Sequence, residues 1–115
     1  GKHSEPERFY HGFVLGLLAD QAEQYEIRSN RESGFGRYDV MMIPKNQKNT
    51  DSLAFILEFK VRNPGKEKSL EETVQTALEQ IETKQYDAEL LARGIEKERI
   101  RHYGFAFDGK QVLIG

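Results

Sequence analysis

The stretch at 52–61, SLAFILEFKV, constrains this chain more than any other. Its aliphatic and aromatic content, its length, and the breakers Asn63, Pro64 and Gly65 behind it describe a strand covered on both faces. Such a strand belongs at the centre of a sheet with layers packed above and below. Yet it carries charge. Alternation places Leu53, Phe55, Leu57, Phe59 and Val61 on one face and Ala54, Ile56, Glu58, Lys60 and Arg62 on the other. Glu58 and Lys60 therefore stand on the same face, roughly 6–7 Å apart along the strand. A solvated strand end has this pattern, and so does a site built at the edge of an apolar sheet.

The remaining elements follow from periodicity and punctuation. Over 7–24 the apolar residues Phe9, Phe13, Val14, Leu17 and Leu18 recur at helical spacing, which predicts a well-buried helix. A short strand is expected over 25–30, then the Gly-rich turn ESGFG at 32–36. A second strand spans 38–43 and is closed by Pro44 and a polar loop. Ser69 with Glu72 forms a capping box, so a helix starts there with Leu70, Val74, Ala77, Leu78 and Ile81 inward. It continues, with a break near 84–86, to the stop at Gly94. Strand-like runs at 100–107 and 111–114 flank Asp108-Gly109, a hairpin signal. Residues 1–6 read as a frayed or tag-derived lead, and 7–115 as a single domain. The class is α/β, with helices on a central mixed sheet and a C-terminal β-hairpin.

Composition closes off several alternatives. The chain of 115 residues has no cysteine, which excludes disulfides, thiolate zinc sites and thiol nucleophiles, and fits a cytoplasmic address. No apolar run approaches the roughly 20 residues of a membrane-spanning helix. The formal charge of −2 argues against nucleic-acid binding through bulk positive field. The charges are unevenly placed, however. Lys60, Arg62, Lys66 and Lys68 face only Glu67 within 60–68, and Arg28, Arg31 and Arg37 face only Glu32 within 28–37. The segment 69–92 is acidic. A basic rim beside the Glu58 strand and an acidic back are expected.

If the two strands are neighbours, Asp39, which follows Arg37 and Tyr38, lies beside Glu58 and Lys60. Two carboxylates offer hard oxygens to Mg²⁺, which keeps several waters and takes few protein ligands. An adjacent ammonium can hold or help deprotonate a water, or stabilise transition-state charge. Together these parts suit metal-dependent phosphodiester hydrolysis.

The succession GRYD at 36–39, EFK at 58–60 and a following helix with Gln80 resembles the PD-(D/E)XK nuclease superfamily. More narrowly, the chain resembles the nuclease-like domain at the C-terminus of bacterial AAA-ATPase-like proteins. The stretches FYHGFVLGLL, YEIRSNRESGFGRYDVMMIPK, LEFKV, ALEQI and AELLARGI carry that likeness. The resemblance implies a restriction-endonuclease-like αβββαβ core acting on DNA with Mg²⁺ or Mn²⁺. It implies Asp39 and Glu58 as metal carboxylates, the Phe59 backbone carbonyl as a further metal contact, and Lys60 as the catalytic lysine. Gln80 and Tyr86 match the Gln and Tyr of the RecB-like branch, at a longer spacing than that branch carries. Tyr38 stands where the family's proline is usual. Glu7 is the candidate first-helix acidic ligand, with His11 one turn later and Arg37 as further auxiliary groups. His11 is equally a helix histidine satisfied by a backbone group, and Gln80 a solvent-facing one. An AAA-ATPase-like domain would precede this one in a full-length chain. No GxxxxGK[ST] loop occurs, so this stretch is not itself the ATPase. The alternative function is a non-catalytic module that binds nucleic acid or protein for such an ATPase.

Overall fold

The structure, a computed structural model, describes residues 4–31, 37–46 and 51–115, with the side chains of 12–30, 37–46 and 51–115. In chain order it runs helix α1 (Ser4–Gln21), strands β1 (Tyr25–Arg31), β2 (Arg37–Pro44) and β3 (Ala54–Val61), helices α2 (Leu70–Lys84) and α3 (Asp87–Ala92), a 3₁₀ turn (Lys97–Arg99), and strands β4 (Ile100–Asp108) and β5 (Gln111–Ile114). The strands form one sheet in the order β1-β2-β3-β4-β5. Only β3 and β4 are parallel, and α2 with α3 is the crossover such a pair needs. The expected central strand is thus the middle of five, and the αβββαβ succession with its terminal hairpin is present.

Alternation along β3 divides the core in two. Leu57 and Phe59 join Val40, Met42, Phe105 and Phe107 on the face covered by α1, where Val14 is buried and the Phe13 ring meets Phe107 edge-on at 5.5 Å. Ala54 and Ile56 join Met41 and Ile43 beneath Ile81, Leu90 and Ile95 on the other face. Burial of each large apolar side chain here contributes roughly 1.5–3 kcal/mol. Glu58 and Lys60 fall on the second face, under α2.

Helix α1 departs from expectation at both ends and in burial. It begins at Ser4, so the lead expected to be unstructured is helical from that residue, and residues 1–3 lie outside the described residues. Pro6 is accommodated because first-turn N–H groups have no helical acceptor. The helix ends at Gln21, whose carbonyl accepts the Gln24 N–H in a turn. Nor is it well buried: Leu15 is 64% exposed. A helix on a sheet hides one stripe, and the run at 13–19 is wider than that stripe. The Gly-rich turn at 32–36 lies outside the described residues.

The Ser69 cap forms, its hydroxyl accepting the Glu72 N–H at 3.3 Å. Glu72 returns its carboxylate to the N–H of Lys68, one residue before the position a capping box uses. Replacing Ser69 with Ala should cost about 1 kcal/mol, readable as a lowered denaturation midpoint with unchanged m-value. Gly104 on β4 lets α2 approach closely: a Cβ there would lie 3.0 Å from the Val74 carbonyl oxygen and 3.1 Å from Ala77 Cβ. The C-terminal hairpin turns one residue later than Asp108-Gly109 suggests. Asp108 pairs with Gln111, so Gly109 and Lys110 form the two-residue loop, and Gly109 supplies the positive φ (+61°) that the first loop position requires.

Candidate active site

Antiparallel register sets Asp39 of β2 directly across from Glu58 of β3, and Arg37 across from Lys60. Side chains in such pairs share a face with Cβ atoms roughly 4.5–5.5 Å apart. The two carboxylates therefore converge as expected, on the face beneath α2 and α3. Glu58 is 0% exposed, and neither of its carboxylate oxygens has a hydrogen-bond partner among the described residues. Arg37 approaches with Nη2 at 3.7 Å from Oε2, beyond hydrogen-bond reach, and its buried Nε and Nη2 make no hydrogen bond to another described residue. Burial, reinforced by the neighbouring Asp39 charge and opposed by Arg37 and Lys60, pushes the Glu58 carboxyl up to about 8. At neutral pH it holds its proton.

Asp39 is also buried but well partnered. The Tyr86 hydroxyl donates to its Oδ2 at 2.7 Å, and Lys84 Nζ lies 3.4 Å from the same oxygen. Asn30, opposite it on β1, adds a side-chain hydrogen bond. Burial raises the Asp39 pKa against the lowering effect of Tyr86, Asn30 and the Arg37 charge. The Tyr86 hydroxyl is raised by burial and by its bond to Asp39, and burial lowers the Lys84 ammonium. Both residues reach Asp39 because the chain reverses between them: Gln85 adopts the left-handed conformation, φ 55°, ψ 43°. A side chain costs roughly 1–2 kcal/mol there. The contacts of α3 hold the reversal in place. Arg28 pairs with Glu89 and Arg93 with Glu26 on the β1 side, while Asp87 and His102 of β4 meet at 2.6 Å. A pocket of about 210 Å³ opens beside Asp39, lined among others by Asn30, Ile56, Tyr86 and Glu89.

Lys60 does not join the carboxylates. Its Nζ donates to Glu67 Oε2 at 2.7 Å, so the ammonium expected at the Asp39–Glu58 pair is turned aside, and the ammonium found at Asp39 belongs to Lys84. Glu67 is itself buried and accepts from the Asn63 N–H at 2.8 Å and the Thr73 hydroxyl at 3.0 Å. Burial opposes its ionisation, but these donors together with Lys60 outweigh it and hold the carboxyl below its ordinary range. The expected basic rim is correspondingly weaker. Lys60 is paired with Glu67, Arg62 with Asp108, and Arg28 with Glu89. Lys66 and Lys68 stay exposed. Arg37, Lys60, Arg62 and Lys66 line a groove of about 700 Å³ on this side of the sheet.

Among the other anticipated residues, Gln80 is half-buried on α2, and its side chain hydrogen-bonds to no other described residue. Glu7 and His11 belong to α1, but their side chains lie outside the described residues. Three contributors were not anticipated. Asn30 resembles any polar strand residue, Lys84 any helix-ending cation, and Glu67 a lone acid in a basic loop. The sole signal was the break at 84–86, which had to turn some side chain toward the sheet.

A family model of the PD-(D/E)XK nuclease superfamily matches residues 5–115. The chain belongs to that superfamily. No curated protein and no solved structure matches it. Its mixed sheet with flanking helices is the restriction-endonuclease-like arrangement of PD-(D/E)XK nucleases. Nucleases of the superfamily typically use divalent metals, and the donor set here can be tested for one. No group of three or more His, Asp or Glu side chains converges among the described residues. Mg²⁺ does not need such a group, since one or two carboxylates and retained waters suffice. Glu58 meets that requirement directly, because a buried carboxylate without a donor is what a cation would satisfy. The residues of this PD-(D/E)XK domain therefore fit a hard divalent ion.

Proposed function

We propose that this domain hydrolyses phosphodiester bonds of DNA, with Mg²⁺ or Mn²⁺ held by Asp39, Glu58 and the backbone carbonyl of Phe59. The observation that carries this reading is the fully buried, unpartnered Glu58 carboxylate directly across the sheet from Asp39. A divalent ion bound there supplies an acidified water and stabilises charge on a phosphoryl oxygen. The chain's own groups do the rest. Asn30 and Tyr86 orient the Asp39 carboxylate. Arg37 and Lys60 present fixed positive charge at the adjoining groove, where a phosphate oxygen can be held. Gln80 on α2 orients a phosphate or the lysine as the substrate enters.

The test is a cleavage panel with Mn²⁺ on single-stranded, duplex and branched DNA, run on the wild type beside Asp39→Ala and Glu58→Ala. Either substitution should reduce cleavage about a hundredfold or more while the circular dichroism spectrum stays native. A wild type that leaves every substrate whole sinks the catalytic reading. One observation favours a non-catalytic module attached to an AAA-ATPase-like domain: Tyr86 and Lys84 already occupy the Asp39 carboxylate. Calorimetry separates the two. A Mn²⁺ site that disappears in Asp39→Ala supports the nuclease, whereas DNA binding indifferent to metal, without cleavage, supports the module.

A further inference from the structure

Lys60 and Glu58 share a strand face at a separation of roughly 6–7 Å, a distance that a lysine's four-carbon stem can close. Glu58 is buried, its oxygens have no hydrogen-bond partner among the described residues, and a donor in reach should satisfy one of them. Lys60 does not. Its ammonium instead sits 2.7 Å from Glu67, seven residues on in the loop before α2. Glu67 is held there independently of Lys60. The Asn63 N–H and the Thr73 hydroxyl bind its other carboxylate oxygen, and Arg62 binds its backbone carbonyl at 2.6 Å. It is thus an acceptor built in advance of the lysine that fills it.

We propose that Glu67 is a positioning residue that keeps Lys60 from collapsing onto Glu58, leaving that carboxylate open to a divalent cation and holding the ammonium at the groove. The proposal rests on the nuclease reading for its metal and substrate, but the placement of Lys60 stands apart from it. Without the Glu67 charge, Lys60 swings along β3 and donates to Glu58, forming an internal ion pair as the Glu58 proton leaves to solvent. The metal site is then quenched from within, and the groove shared by Arg37, Arg62 and Lys66 loses one of its four cations.

Glu67→Gln removes the charge and keeps the shape and the Thr73 contact. In a metal-free crystal structure of this variant, Lys60 Nζ should lie within hydrogen-bonding or ion-pair reach of Glu58. Lys60 Nζ still seated against residue 67 overturns the proposal. Calorimetry should show Mn²⁺ affinity weakened about tenfold, in the range typical of groups that act behind a metal ligand. The double variant Glu67→Gln/Lys60→Met should regain most of that affinity, because no ammonium is left to compete, while DNA cleavage stays lost. A merely structural Glu67 predicts no such recovery, and a double variant as weak as the single one overturns the proposal. Thr73→Val loosens Glu67 without removing its charge and should move Lys60 and Mn²⁺ affinity in the same direction by a smaller amount. Unchanged affinity in both Glu67→Gln and Thr73→Val also overturns it. A wild type that binds no Mn²⁺ would defeat the nuclease reading, and the position of Lys60 in the crystal would still decide the role of Glu67.

Discussion

Glu58→Gln is expected to make the metal-free protein markedly more stable while removing its ability to bind metal. The folded protein raises the Glu58 pKa to about 8, whereas the unfolded chain returns it to the ordinary 4.5. Below the unfolded value the group is protonated in both states and imposes no penalty. As pH rises through the window from 4.5 to about 8, the unfolded state ionises and the folded state does not, so folding stability falls by about 1.4 kcal/mol per pH unit. Glutamine never ionises. Its advantage should therefore be absent near pH 4, grow across the window, and reach on the order of 4 kcal/mol near pH 7.5. For a domain of this length that is a rise in Tm of at least about 10 °C. Thermal melts of both proteins at several pH values check it. A constant difference across pH, or a destabilised variant at pH 8, would show that Glu58 is not held protonated by burial. Loss of function bought with gain of stability is what a functional carboxylate in a dry site predicts.

The same group makes metal binding steeply pH-dependent. A carboxylate must be ionised to hold a hard cation, so below pH 8 the proton on Glu58 has to leave as the ion enters. The apparent Mg²⁺ or Mn²⁺ affinity should rise about tenfold per pH unit between pH 6 and 8 and then level off. Calorimetry in buffers of different ionisation enthalpy should count close to one proton released per ion at pH 6.5 and far fewer at pH 8.5. The Asp39 pKa is raised as well, and a further steepening below its own titration follows. Affinity that does not change from pH 6 to 8 would mean that the ion binds without Glu58. If affinity does rise to pH 8, cleavage measured only at pH 7 understates what the site can do.

Much of this organisation is legible along the chain, and the exceptions have physical causes. The β3 strand, the Ser69 cap and the inward face of α2 were readable because each depends on neighbours within a few residues. Asp39 and Glu58 could be paired because a buried strand has one alternation and the sheet one register. The reversal at Gln85 was located by a weakened helical pattern, but its conformation was hidden. Nothing about glutamine favours a left-handed backbone, and the tie between Asp87 and His102, 15 residues apart, helps to hold it. The burial of α1 was overread, since hydrophobicity counts apolar residues and only packing says which of them find a partner.

By itself the sequence determined the order of elements, the central strand and the two carboxylates on one face, since alternation, capping and turn chemistry are local and repeat every few residues. Tertiary structure decided which cation serves which carboxylate. Lys60 lies two positions from Glu58 and yet pairs with Glu67, while Lys84, 45 positions from Asp39, reaches its carboxylate. A long, flexible ammonium goes wherever folding has already placed a buried acceptor, and distance along the chain does not set that.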